Sequence, residues 1–164
     1  MMSVLIERGK PRPLRILVFC VHPGTLLNYS VLLNERGFFH LSLCDTTQQV
    51  AHALGRGGYF DLLIHDDFCF DGNDRDFVLQ FARNLNVDSL LFVGDMALAQ
   101  RREAFNWARE HGVPLFYFLP QPLCASELEK VLTLFRQRGC PVQQKSNARQ
   151  VAIEHSNNRG ICLE

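Results

Sequence analysis

Between residues 14 and 138 the chain repeats one pattern five times. A short apolar, β-rich run is followed by a break of Gly, Pro, Asp or Asn, then by a longer stretch with apolar residues three or four positions apart. The runs at 14–21, 38–44, 60–67, 89–93 and 113–119 read as strands. The stretches at 25–37, 46–54, 74–85, 96–110 and 126–138 read as helices. Asp45, Thr46 and Thr47 offer caps for the second helix, and Asp95 reads as the cap of the fourth. Gly37 and Gly55 read as stops, and 86–88 reads as a turn. Strict alternation of strand and helix implies a parallel sheet, because parallel strands need crossovers, and right-handed crossovers place helices on both faces. The expected fold is α/β, a five-stranded parallel sheet with helices on both faces, (βα)5 and flavodoxin-like.

Residues 1–13 end in Lys10-Pro11-Arg12-Pro13 and read as an extended leader. Residues 139–164 turn to Gln, Ser, Asn and Arg and read as a polar tail, or as a linker to an output domain, with a short helix around 148–154. Lys plus Arg and Asp plus Glu each number 17, so the overall charge makes no case for nucleic acid or an anionic membrane. No basic stripe with interleaved aromatics suggests direct nucleic-acid binding. No apolar run approaches the ~20 residues of a membrane span. The six cysteines form no CxxC pair and read as buried free thiols of a cytoplasmic protein.

The stretch Phe60-Asp61-Leu62-Leu63-Ile64-His65-Asp66 reads as a strand covered on both faces that delivers Asp66 and Asp67 to one edge of the sheet. Function gathers at such carboxyl ends in open α/β sheets. Asp66 there is expected either to accept nearby backbone N–H bonds or to meet a solvent-filled dimple. Asp67 reads as a solvated loop acid. Cys20, His22, His65, Asp66, Asp67 and Cys69 fall at neighbouring strand ends. Their thiolate, imidazole and carboxylate donors leave zinc open as an alternative, although alternation sends His65 and Asp66 to opposite faces. His22-Pro23-Gly24-Thr25 lacks GxGxxG and a P-loop Lys, which weighs against a nucleotide or flavin site in a flavodoxin-like small-ligand protein.

This order of landmarks resembles the receiver domain of response regulators over residues 14–138. The strand entering Asp66 is similar to the family's run into its phospho-accepting Asp. Pro23, Gln121-Pro122 and Glu127-Leu128 match further landmarks. The resemblance implies Asp66 as candidate phospho-acceptor, weakly active or vestigial. It also implies a pocket whose other positions have changed. The two acids that would hold Mg²⁺ fall at Cys20 and Val21, with His22 next, the Ser/Thr position falls at Val93 or Gly94, and the Lys falls at Gln121.

Phosphoryl transfer to a carboxylate is mostly positioning plus neutralisation of oxygen charge. A metal ion supplies several kcal/mol of that, and each ~1.4 kcal/mol lost slows the step tenfold. The expectation is therefore a pseudo-receiver with no cofactor and no catalysis, acting through protein contacts. Its partner would be a second copy or another signalling protein. The resemblance places the switch aromatic at Phe118, either packed inward to lock the face or simply a core ring. It places a contact face on the fourth helix, fifth strand and fifth helix, with Arg101, Arg102 and Arg109 of the fourth helix and Phe118 of the fifth strand as candidate contacts.

Overall fold

The computed structural model describes residues 12–84 and 86–138. The residues 1–11 of the leader and the whole of 139–164, including the short helix expected there, lie outside the described residues. The elements are β1 (Arg15–Phe19), α1 (Pro23–Glu35), β2 (His40–Cys44), α2 (Thr47–Gly55), β3 (Phe60–His65), α3 (Gly72–Asn84), β4 (Val87–Gly94), α4 (Leu98–Glu110), β5 (Leu115–Pro120) and α5 (Ala125–Gln137). The strands form one parallel sheet in the order β2-β1-β3-β4-β5.

Period-two alternation sends the strand side chains into two cores. Leu17, Phe19, Leu63, Leu90, Phe92 and Phe118 pack with α2, α3 and α4 through Val50, Leu54, Val78, Ala104 and Trp107. Ile16, Val18, Leu62, Ile64, Leu91 and Val93 pack with α1 and α5 through Tyr29, Leu33, Leu128, Val131 and Leu132. Each core is fed by five strands, so neither face of β3 reaches water: all six of its residues are buried.

Local signals set the helix ends. Pro23 occupies the first turn of α1, where its missing N–H is no loss. Thr46 Oγ1 accepts from Gln49 N–H at 3.2 Å and caps α2, as the sequence suggests. Gly37 (φ 83°) and Gly112 (φ 68°) take left-handed conformations just after α1 and α4.

Most element boundaries shift by one or two residues from expectation, and three of the shifts have a visible local reason. β1 ends at Phe19, not at Val21, because its neighbour β2 ends opposite at Cys44. β4 begins at Val87, inside the expected turn, since Val87 lies in register with Phe60. Asp95 does not cap α4; the cap position is Ala97, whose N–H donates to Gln100 Oε1 at 3.1 Å.

Candidate functional site

The strand order reverses across β1, so the carboxyl ends of β1 and β3 meet at the switch point of the sheet. Asp66 lies one residue beyond β3, and its backbone N–H donates to Phe19 O at 2.9 Å. Its side chain is neither in a solvated dimple nor bound by backbone amides. It is buried at 7% exposure, and two side chains hold it. Tyr29 O–H donates to Oδ1 at 2.6 Å, and the Cys20 thiol donates to Oδ2 at 3.3 Å. Tyr29 is fully buried on α1. Burial, with the adjacent carboxylate, pushes the Cys20 thiol up to about 11, against a backbone contact to His22 that lowers it. Burial and the bond to Asp66 push the Tyr29 phenol up as well. Both groups therefore stay protonated near neutral pH and act as donors. A hydroxyl donating to a carboxylate contributes about 1.5–3 kcal/mol and a thiol, a weak donor, less, so the Tyr29 bond dominates a polar knot inside the α1/α5 core.

The other sequence-predicted positions divide around this knot. Val93 is fully buried in the same core, presenting an isopropyl group where the receiver pattern has a hydroxyl. Gly94, the other candidate for that hydroxyl, has no room for a side chain, because a Cβ there would run into the Phe68 carbonyl. Val21 points outward at 52% exposure. His22 and Asp67 stand exposed at the rim, with Nε2 and Oδ2 4.0 Å apart. Asp67 takes a left-handed φ of 54°, a conformation Asp tolerates better than most residues. Gln121 is half-buried and its backbone N–H donates to Gly94 O at 3.2 Å, ahead of a cis bond to Pro122.

This donor set does not fit Mg²⁺. A hard cation of that size wants several oxygen ligands in octahedral array. Of the positions around Asp66, one offers a protonated thiol, one an outward isopropyl group and one a buried isopropyl group.

The zinc grouping is also dispersed. His65 turns to the opposite face, into a cage of Phe19, Phe68, Phe77 and Phe92 with ring centroids 5.0 to 6.1 Å away, all edge-on. Its Nδ1 lies 3.1 Å from Asp66 O, while its Nε2 is buried without a hydrogen-bond partner, 3.9 Å from Asp74 Oδ1. Burial pulls the imidazole below its ordinary range, against the raising effect of Asp74. Among the described residues, no three His, Cys, Asp or Glu side chains gather as a metal site. The four cysteines among the described residues divide: Cys20 and Cys44 are buried free thiols, as expected, while Cys69 and Cys124 are exposed; Cys140 and Cys162 lie outside the described residues.

On the α4 side, Phe118 is 6% exposed and belongs to the core, so it is not part of a surface, contrary to its place in the expected interface. Arg101 covers it: the guanidinium sits 5.3 Å from the ring centroid, and Nε donates to Met96 O at 3.0 Å. Arg102 is exposed, and Arg109 donates to Asn106 within the helix at 3.1 Å. Two polar anchors went unrecognised in the sequence. One is Tyr29, which reads there as one more member of an apolar stripe. The other is Asp61, 2% exposed, which takes a two-pronged bond from Arg12 at 2.7 and 3.2 Å and one from Arg15 N–H at 2.8 Å. A Tyr or Asp at an inward position is the available signal, since each needs a partner when buried.

No family model and no curated protein matches the sequence. Solved structures do. A putative pilus assembly-related protein from Burkholderia pseudomallei is 18% identical, with a TM-score of 0.62, covering 77% of this chain and 92% of that one. A CheY-like response regulator receiver domain protein from Methanospirillum hungatei is 13% identical, with a TM-score of 0.60 and coverage of 77% and 97%. The signal receiver domain of an HD domain-containing protein from Pseudomonas fluorescens is 19% identical, with a TM-score of 0.59 and coverage of 90% and 99%. At these identities the likeness concerns the fold: the described chain has the CheY-like, flavodoxin-like receiver architecture.

Proposed function

We propose that this chain is a pseudo-receiver: a signalling module with the receiver scaffold that acts through protein contacts, independently of phosphorylation. One observation carries the reading. Both carboxylate oxygens of Asp66 are occupied from within, by the Tyr29 hydroxyl at 2.6 Å and the Cys20 thiol at 3.3 Å. A nucleophile attacking a phosphoryl donor needs a free oxygen lone pair facing that donor and cationic charge to offset the incoming oxygens. Here one lone pair on each oxygen is engaged by a buried donor, Cys20 and Val21 stand where the pattern has its metal-holding acids, and Gln121 stands where it has an ammonium group. The contribution of cation and Lys is missing, and breaking the knot adds a further barrier.

Such a module works in the cytoplasm, where free thiols persist. It binds a second copy of itself or another signalling protein. Residues 139–164 then serve as a tail or as a connection to an output domain, as in longer regulators that carry a receiver at one end.

The test is incubation with a small acyl-phosphate donor and Mg²⁺, read by intact mass, on the natural chain and on Asp66→Ala. The expected result is no phosphoryl adduct on either. An adduct that forms promptly and vanishes in Asp66→Ala overturns the reading in favour of a working phospho-acceptor.

A further inference from the structure

Of the seven exposed large apolar side chains among the described residues, four lie on α1 or on and beside β2. Leu27 and Val31 on α1, Phe39 before β2 and Leu43 on β2 are 62%, 48%, 72% and 40% exposed. Leu41 packs in the α1/α5 core, and Leu43 shares its parity within β2, so both lie on the α1 face of the sheet, with Phe39 exposed just before the strand. Leu27 and Val31 are one turn apart on the flank of α1 away from Leu32, which packs inward. The corner therefore combines an apolar helix flank with the rim of the sheet.

That rim is an unpaired strand edge. Among the described residues, β2 has one strand neighbour, β1. Cys20 N–H donates to Cys44 O at 3.0 Å, so Cys44 turns its backbone polar groups towards β1. By alternation Ser42 and His40 do the same, while Leu41 and Leu43 turn theirs outward. Asp45 has the same outward parity, but its N–H is already taken by Gln49 Oε1 at 2.9 Å. The open edge is thus centred on Ser42. Strand edges are commonly blunted with Lys, Pro or a bulge. The run Phe39-His40-Leu41-Ser42-Leu43-Cys44 has no Lys, Arg, Asp, Glu or Pro, and its pairing with β1 is unbroken.

We propose that this corner is a self-association surface, on which a second copy of this chain adds its β2 antiparallel to this one about a two-fold axis through Ser42. The outward groups then match: Leu41 exchanges both backbone hydrogen bonds with Leu43 of the second copy, and Leu43 with its Leu41. Ser42 faces Ser42. On the α1 face the leucines meet leucines, flanked by Leu27 and Val31, and the paired run itself carries no Lys, Arg, Asp or Glu. Because the two copies use the same edge, the contact closes at two. The apolar patch is on the order of a few hundred Å² per copy, typical of a functional patch on a monomer. That is below the roughly 800 Å² per partner of a standard stable interface, so the dimer dissociates on dilution.

This inference rests on the contact-based function above and names its partner and surface, which differs from the α4 face. The test is sedimentation of the full chain up to about 1 mM, the weak end of specific association. Amide hydrogen exchange at Leu41 and Leu43 is followed at the same concentrations, with Leu43→Lys and Arg102→Glu as variants and circular dichroism confirming that each folds. The expected result is a monomer–dimer equilibrium with concentration-dependent protection of the two amides. Leu43→Lys weakens it at least about tenfold, the step that one lost contact of ~1.4 kcal/mol gives, and Arg102→Glu leaves it unchanged. A chain that stays monomeric throughout overturns the proposal, including the case where another protein's strand takes the edge. A dimer that Arg102→Glu breaks and Leu43→Lys spares, without protection at Leu41 and Leu43, overturns the edge placement and leaves the contact-based function intact. A phosphoryl adduct on Asp66 fails the function without moving the dimer, so the two failures stay distinct.

Discussion

His65 and Asp66 are adjacent in sequence, equally polar and both buried, yet the fold treats them in opposite ways. Alternation sends Asp66 to the α1/α5 face, where a phenol and a thiol satisfy both carboxylate oxygens. It sends His65 to the other face, where four phenylalanine rings surround it and Nε2 has no hydrogen-bond partner. One site is a charge stabilised by dedicated donors; the other is an imidazole kept neutral by an apolar cage. Two neighbouring polar residues at one strand end thus meet opposite environments, because alternation sends them to different faces of the sheet.

The sharpest way to break that contrast is to remove the donor. Tyr29→Ala opens a cavity and strips Asp66 of its shortest bond, and it should destabilise the chain by about 3–5 kcal/mol in urea titration. Tyr29→Phe keeps the ring and removes only the hydroxyl, and should cost about 1–3 kcal/mol. If Tyr29→Phe proves neutral, Asp66 is stabilised by something other than the knot.

On the histidine side the prediction concerns acid. Burial places the folded-state pKa of His65 below its ordinary 6.5, so the fold favours the neutral ring. That stability is complete above 6.5 and is lost as pH falls towards the folded value, because the unfolded chain takes up the proton first. Urea midpoints measured from about pH 7 to about pH 5 should fall for the natural chain, and fall less for His65→Leu. The aspartate side responds to base instead. Cys20 and Tyr29 have folded pKa values above their ordinary ones: the Cys20 contribution is present below pH 9.0 and lost as pH rises through about 11, and that of Tyr29 is present below 10.0 and lost further into base. Cys20→Ala should shrink the alkaline slope in thermal melts and leave the acid slope alone; the reverse pattern would show the two sides wrongly assigned.

The smallest effect belongs to Arg101. Its guanidinium lies over Phe118 at 5.3 Å, and Arg101→Ala should cost about 0.5–1 kcal/mol, with ring exposure visible in quenching-free methods such as Phe118 NMR shifts.

Most of the fold is legible in the chain. The five strand–helix units, the parallel sheet and the Thr46 cap all follow from apolar period and turn residues, and both are local. Boundaries slip where a neighbour decides, as at Val87, which joins β4 because Phe60 lies opposite. The site was legible only as an inventory. That Cys20, Val21 and Gln121 lack the oxygen and ammonium groups of the receiver pattern can be read by position. That Asp66 is already occupied cannot, since its partner is 37 residues away and reaches it only when α1 lies on the sheet.

By itself, then, the sequence determined the architecture and the residue types that surround Asp66, because periodicity and residue type are carried residue by residue along the chain. Tertiary structure alone decided which face each polar group meets: Tyr29 against Asp66, phenylalanines around His65, Arg101 closing over Phe118. Hydrogen bonds and ring contacts require atoms a few ångströms apart, and that proximity arises only when separate elements pack.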